Sequence, residues 1–268
     1  MSDERDGDSR PQYPWSRGWD WINKGTETFL VAPLTWISLL ILQLGIGICI
    51  SMAPTPAGPA GWMLDILLEM VGLIVGVLFD AGLLLGCDAV RRGEPLRIGT
   101  LFAAFRHPAA AGLIKLALIQ ILAFVALGMI AVFMVAILLV GGSSVSNLDA
   151  SGLVDVVLRS LGSAMIIFLF ITTLVLLFVM AMWMAPPLVV FRGYTPSRAL
   201  AESFNANFRN VRALTVYGLG MAGLALVAAL PLLLGFLVWL PLATTTRYAA
   251  FVDLFDAPHD ASRTVRAL

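Results

Sequence analysis

Long uncharged apolar runs constrain the fold of this chain more than any other feature. No charged residue lies in 28–64, between Arg159 and Arg192, or in 213–246. A helix of about 20 apolar residues crosses the ~30 Å hydrocarbon core of a bilayer. The chain is 59% hydrophobic and 13% charged, whereas soluble domains carry about 25% charged residues. Because water cannot be the solvent for so much apolar surface, we predict an all-α protein that spans a membrane several times.

Two of the uncharged runs are too long for one span. At 1.5 Å per residue, each would form a helix of about 50 Å or more. The PTPAGP segment at 54–59 cannot be helical and divides the first run. Pro231 and Gly235 predict a hairpin in the last run. We therefore predict six spans, and the alternative is five spans with a long tilted or kinked last helix. The six spans are placed at about 33–53, 62–89, 112–141, 160–191, 213–230 and 234–251.

The basic residues beside these spans lie almost entirely on one side. Arg159 is the exception. Because Lys and Arg are retained in cytoplasmic loops, this asymmetry predicts that both termini are cytoplasmic. An odd number of spans would place Arg247, Arg263 and Arg266 outside, which also favours six.

A polar segment with the same order of features occurs twice, at 92–106 and 192–212. Each copy begins with Arg-Gly, continues with a proline (Pro95 or Pro196), and ends with two phenylalanines and an arginine. The tryptophan-rich segment 15–29 precedes the first span in the same way, but it lacks the Arg-Gly start. Amphipathic helices of this kind lie in the headgroup plane. We therefore predict three repeated hairpins, each preceded by an amphipathic interfacial helix.

Helical spacing predicts which face of these segments is apolar. In the first segment this face contains Trp15, Trp19, Ile22, Thr26 and Phe29. In the last it contains Leu200, Phe204, Phe208 and Val211. The chain is then a single transmembrane domain at 15–255, with repeat units at about 15–90, 91–191 and 192–255, between a disordered polar tail at 1–14 and a polar tail at 256–268.

The second span carries an unusual face, because Asp65, Glu69, Gly72, Gly76 and Asp80 recur at helical spacing. Acidic residues within a span usually face the bundle interior or water, and they are often functional. The structural alternatives are that Asp65 and Glu69 are simply hydrated near the outer end, and that Asp80 bonds to a neighbouring helix. We predict a helix-packing surface at Gly72 and Gly76.

Two other intramembrane polar residues, Gln43 and Gln120, are possible partners for this acidic face. The candidate intramembrane polar site therefore consists of Asp65, Glu69, Asp80, Gln43 and Gln120. The arginines of the cytoplasmic links either fix the topology or contact anionic lipid headgroups. The candidates for headgroup contact are Arg92, Arg106, Arg192 and Arg209.

No residue pattern points to catalysis, a metal or a cofactor. His107 and His259 are isolated from cysteines and carboxylates at metal-ligand spacing. The chain contains neither a phosphate-binding glycine loop nor a nucleophile elbow. The net charge of zero excludes the basic surface typical of nucleic-acid binding. We predict a non-enzyme without cofactors.

Three stretches resemble a family of uncharacterised multi-pass inner-membrane proteins of proteobacteria. They are 18–36 (GWDWINKGTETFLVAPLTW), 82–106 (GLLLGCDAVRRGEPLRIGTLFAAFR) and 180–219. That family is distantly similar to the membrane domains of glycerophosphoryl diester phosphodiesterases and to Yip-type membrane proteins. The resemblance implies repeated helical hairpins and a location in the bacterial inner membrane. It implies no activity.

Two functional hypotheses follow. The first is a non-enzymatic scaffold, or a lipid- or protein-interacting factor in envelope homeostasis, whose partners are membrane lipids, other membrane proteins or a second copy of the chain. The alternative is a small transporter or channel that uses the acidic face of the second span. A water-filled cavity reaching Asp80 would favour transport, whereas a dry bundle with Asp80 bonded to a neighbouring helix would favour the scaffold.

Overall fold

The computed structural model describes residues 13–141 and 150–256, and within these ranges the secondary structure is helical. The predicted tails, apart from residues 13, 14 and 256, lie outside the described residues, and so do residues 142–149. A 3₁₀ helix at Ile98–Arg106 lies between α3 and α4, and a π-helical turn at Val252–Asp256 follows α9. The α-helices are α1 (Arg17–Leu30), α2 (Pro33–Ser51), α3 (Pro59–Arg91), α4 (Ala110–Gly141), α5 (Ala150–Trp183), α6 (Ala185–Arg192), α7 (Pro196–Arg209), α8 (Val211–Ala229) and α9 (Phe236–Phe251).

The prediction of an all-α chain with several membrane-spanning helices is confirmed. In the described part of the chain, five helical segments are long and apolar enough to cross a bilayer. They are Pro33–Ser51, Pro59–Arg91, Ala110–Ala136, Leu161–Arg192 and Val211–Ala229.

The last apolar run contains a turn at 230–235, between α8 and α9. Leu232 and Leu233 have positive φ angles of 50° and 67° there. A Cβ on Gly235 would lie 2.5 Å from the Ala228 Cα, so glycine is needed where the chain folds back on α8. The helix after this turn has 16 residues and contains Pro241. It is therefore shorter than the roughly 20 residues that a full span requires.

The buried core is concentrated at one end of the bundle. The fully buried large side chains come from the ends of helices that meet there, such as Trp36 at the start of α2, Leu84 near the end of α3 and Phe251 at the end of α9. The apolar stretches of α4 and α5 are almost entirely unburied, with 6% and 0% of their most apolar windows inside the protein. Apolar surface without protein neighbours is suited to lipid contact.

Helix α1 is packed more deeply than an interfacial helix requires. Trp21 is fully buried, whereas Trp15 and Trp19 of the predicted apolar face are about half exposed. A Cβ on Gly18 would lie 2.2 Å from the Ala213 carbonyl oxygen of α8, and one on Gly25 would lie 2.4 Å from Thr246 of α9. The two glycines therefore let α1 approach the backbones of α8 and α9, which helical spacing of apolar residues does not reveal.

The 3₁₀ helix lies against the second half of α3. A Cβ on Gly82 would lie 2.3 Å from the Leu101 carbonyl oxygen, so this contact depends on glycine. Leu101 is fully buried. Phe102 and Phe105 both contact the Phe79 ring, with centroid distances of 5.5 Å, and remain about 40% exposed. The segment is therefore held against α3 by its backbone and by Leu101, and it leaves Phe102 and Phe105 partly exposed.

The fourth span is interrupted at Met184, just before Pro186 and Pro187, and helix α7 packs against this break. The Met184 N–H donates to Ser203 Oγ at 3.0 Å instead of continuing the helix, and Ser203 Oγ donates to the Met180 carbonyl at 2.9 Å. Asn207 Nδ2 also donates to the Met180 carbonyl, at 2.6 Å. The small polar face of α7 thus inserts into the α5–α6 junction, while Phe208 of the predicted apolar face is 65% exposed.

Candidate functional site

Asp80 forms an ion pair with Arg247 that joins α3 to α9. The Arg247 Nη2 lies 2.5 Å from the Asp80 Oδ1, and the two side chains are 16% and 27% exposed, respectively. Asp80 lies about 16 Å before the end of α3 along the helix axis. From sequence, Arg247 is interpreted only as a topology marker. Its position inside the apolar helix α9 was the signal that it needs a partner, since an intramembrane charge is rarely left unpaired.

A cleft of about 720 Å³ lies mainly between α3, α4 and α5, with further lining residues from α2 and α9, and Asp80 and Arg247 line it. We call it the α3–α5 cleft. Its walls are mainly apolar and include Phe124, Phe178 and Trp183. The other predicted site residues that line it are Glu69 and Gln120.

Only part of the predicted acidic face lines this cleft. Glu69 is exposed and accepts a long hydrogen bond of 3.4 Å from the Ser51 hydroxyl on α2. Asp65, one turn earlier on α3, is exposed and is not among the cleft-lining residues. The structure therefore brings Glu69, Asp80 and Gln120 to one cavity and leaves Asp65 outside it.

Gly72 and Gly76 also line the cleft. A Cβ on Gly76 would meet no atom within 4 Å, and one on Gly72 would meet only the Ile50 side chain, at 3.8 Å. Within the described chain, these glycines widen the cleft and no helix backbone packs against them. Among the described residues, the packing surface predicted at this pair meets only the Ile50 side chain of α2, at Gly72, and it stays a prediction.

Gln43 lies on the other side of Asp80, in a smaller chamber of about 180 Å³ between α2, α3 and α9. We call it the α2–α9 chamber; Trp36, Asp80 and Thr244 also line it. The Trp36 Nε1 and the Gln43 Oε1 are buried and have no hydrogen-bond partner among the described residues. A cavity with a donor, an acceptor and a carboxylate is suited to water. Asp80 therefore borders two cavities.

A second polar cluster holds the two ends of the described chain together. Arg17 donates from Nε to Asp253 Oδ2 at 2.7 Å and from Nη2 to Asp253 Oδ1 at 2.8 Å. Trp21 Nε1 donates to Asp253 Oδ2 at 2.9 Å. The Tyr13 hydroxyl donates to the Asp253 carbonyl at 2.8 Å. We call this cluster the Asp253 clamp.

Electrostatics in the Asp253 clamp favour the ionised carboxylate. Burial raises the pKa of Asp253, but the hydrogen bonds from Arg17 and Trp21 and the charge of Arg17 outweigh burial, so the pKa lies below its ordinary value. The hydrogen bond to Asp253 likewise raises the pKa of Arg17. The clamp is thus a charged pair at neutral pH.

The predicted headgroup arginines have different surroundings. Arg92 forms ion pairs with Asp88 and, at 2.9 Å, with Glu94. Arg192 donates to the Phe255 carbonyl. Arg106 and Arg209 are exposed at the ends of the 3₁₀ helix and α7. Arg192 therefore joins the end of α6 to the π-helical turn, whereas the ion-pair partners of Arg92 lie at the end of its own helix.

Within 13–141 and 150–256, no group of three His, Cys, Asp or Glu side chains is placed to hold a metal ion. No protein-family model, curated protein or solved structure matches this chain.

Proposed function

We propose that this chain is a non-enzymatic protein of the bacterial inner membrane that binds membrane lipids or other membrane proteins and acts in envelope homeostasis. The proposal includes membership of the uncharacterised proteobacterial family that its motifs resemble. It also includes six spans in three repeated hairpins and cytoplasmic termini.

The α3–α5 cleft carries this proposal. Its walls are mainly apolar, its volume of about 720 Å³ is that of a small-ligand site, and a charged pair lies at one end. Its α4 and α5 walls belong to helices whose outer surfaces are exposed and apolar. A cavity of this composition, open beside lipid-facing helices, suits the apolar part of an amphipathic molecule from the bilayer.

Two observations support the proposed topology. The turn at 230–235 divides the last apolar run where a hairpin was predicted. The Arg17–Asp253 pair brings the start of α1 and the end of α9 to the same end of the bundle. An even number of spans places the two chain ends on the same side, because the chain returns to the side from which it started.

A second candidate function, a small transporter or channel, is favoured by one specific observation. Asp80 borders both the α3–α5 cleft and the α2–α9 chamber, so a carboxylate separates two cavities within the bundle. Arg247 would hold this carboxylate in place, and exchange of that partner would be the gating step.

Lipid retention tests the leading proposal. The protein would be purified in mild detergent and its bound lipid quantified by mass spectrometry, for wild type, Gly76→Phe and Gly128→Phe. Both glycines have open space around their Cβ positions, but only Gly76 lines the cleft. We expect Gly76→Phe to lose bound lipid and Gly128→Phe to retain it. Equal retention by all three proteins would contradict a lipid site in the cleft.

A further inference from the structure

The charges that line the α3–α5 cleft do not balance. Its ionisable lining residues are Glu69, Asp80 and Arg247. With formal charges of −1, −1 and +1, their sum is −1. Arg247 is paired with Asp80, whereas Glu69 has no ion-pair partner among the described residues and only the Ser51 hydroxyl nearby. The uncompensated charge is therefore at Glu69.

The cleft walls suit a positive charge carried on an apolar body. Phe124 and Phe178 form an edge-to-face pair with centroids 5.7 Å apart, and both line the cleft together with Trp183. The faces of aromatic rings attract organic cations, and the attraction is stronger where water is excluded. Leu73, Val77 and Val175 supply apolar wall between the charged ends.

The size of the cleft limits the ligand further. About 720 Å³ accommodates a compact drug-sized molecule or part of a larger amphiphile. Glu69 and Asp80 are separated by about 16 Å along α3. A ligand whose cation lies beside Glu69 can therefore extend its apolar part along the cleft towards the neutral Asp80–Arg247 pair.

Resting on the proposed function, we infer that the α3–α5 cleft selects amphipathic molecules that carry a single positive charge, with Glu69 as the counter-ion. Two sources share this chemistry: the amine headgroup of a membrane lipid, and a lipophilic cation that partitions from water. An acidic lipid does not fit this site, because Glu69 would repel its negatively charged headgroup.

Equilibrium binding of radiolabelled tetraphenylphosphonium tests the inference. The protein would be purified in a maltoside detergent, whose headgroup carries no charge, and wild type compared with Glu69→Gln and Asp65→Asn. We expect saturable binding to wild type and a loss of affinity of about tenfold in Glu69→Gln, because the counter-ion of the bound cation is removed. Asp65→Asn removes a carboxylate one turn away that does not line the cleft, and we expect it to bind as wild type does.

Competition by lipids then identifies the source of the cation. Displacement of the probe by phosphatidylethanolamine would identify a membrane lipid, and binding that phosphatidylethanolamine does not displace would identify a water-borne cation. Absence of saturable binding, or equal affinity in wild type and Glu69→Gln, would overturn the inference. If phosphatidylglycerol is retained in a Gly76-dependent manner while the cation does not bind, lipid binding stands and cation selectivity alone fails.

Discussion

Arg247 of α9 donates a hydrogen bond to Asp80 of α3 across 2.5 Å, at a point where the two residues are separated by 167 positions in sequence. The pair joins α3, the helix of the second predicted span, to α9, the last α-helix of the described chain. It also closes one end of the α3–α5 cleft and borders the α2–α9 chamber through Asp80. One contact therefore sets both the packing of α9 and the charge of the cavity.

Removing one member of this pair should destabilise the protein strongly. Arg247→Met leaves the Asp80 carboxylate without its cation, and breaking a buried pair typically costs about 3–5 kcal/mol. Because both side chains are partly exposed, we expect a loss near the lower value. Thermal unfolding in detergent would measure it. The double variant Asp80→Asn with Arg247→Met should recover part of the loss, and additive losses would show that the two residues are not coupled.

The Asp253 clamp predicts a defined pH dependence. The folded-state pKa of Asp253 lies below its ordinary value of 3.8, so the unfolded chain binds more protons in this region. The stabilisation is therefore present above the unfolded pKa and is lost as pH falls through the folded pKa. We expect the unfolding temperature of wild type to fall more steeply below about pH 4 than that of Asp253→Asn.

Asp20→Asn is the matched control for the clamp, because Asp20 lies 3.6 Å from Arg17 but is 45% exposed. We expect its pH profile to follow that of wild type. If Asp253→Asn keeps the full acid sensitivity of wild type, the Arg17–Asp253 pair does not contribute to it.

Ser203 should matter more than any exposed serine on α7. Ser203→Ala leaves the buried Met184 N–H without its acceptor, and an unsatisfied buried group costs about 1–3 kcal/mol. Hydrogen exchange at the Met184 amide should accelerate, and the unfolding temperature should fall. Ser197→Ala, on the exposed first turn of the same helix, should change neither, and similar effects of both substitutions would contradict the insertion of α7 into the α5–α6 junction.

The six-span topology predicts where reporters are active. A fusion after Asp256 should show a cytoplasmic reporter signal, because the chain then returns to the basic side. A fusion in the 54–58 turn should show the opposite signal. A periplasmic signal after Asp256 would exclude six spans and favour the five-span alternative.

The fold class was accessible from sequence, because hydropathy along a chain is a local property. The breaks at 54–59 and 230–235 were also predictable, since proline and glycine act on their own backbone. The close packing of α1 could not be predicted, because it depends on Gly18 and Gly25 facing the backbones of α8 and α9. Spacing of apolar residues identifies a face but not the element that covers it.

The candidate site could be only partly predicted from the sequence. Asp80, Glu69 and Gln120 were selected because charged and amide groups are rare within spans, and the structure places all three on one cleft. Asp65 shares the α3 face of Glu69 and Asp80 but lies outside the cleft. Arg247, the partner of Asp80, was interpreted as a topology marker instead. It follows the uncharged run at 213–246 and fits the basic side of the membrane equally well.

The sequence by itself determined that this chain is a helical membrane protein with carboxylates inside its second apolar helix. These properties follow from the free energy of transferring each residue into lipid, which depends on that residue and its near neighbours. Only the tertiary structure decided that Arg247 neutralises Asp80 while Glu69 stays unpaired. That difference depends on which helix packs beside α3, and contacts between residues so far apart in the chain leave no local pattern.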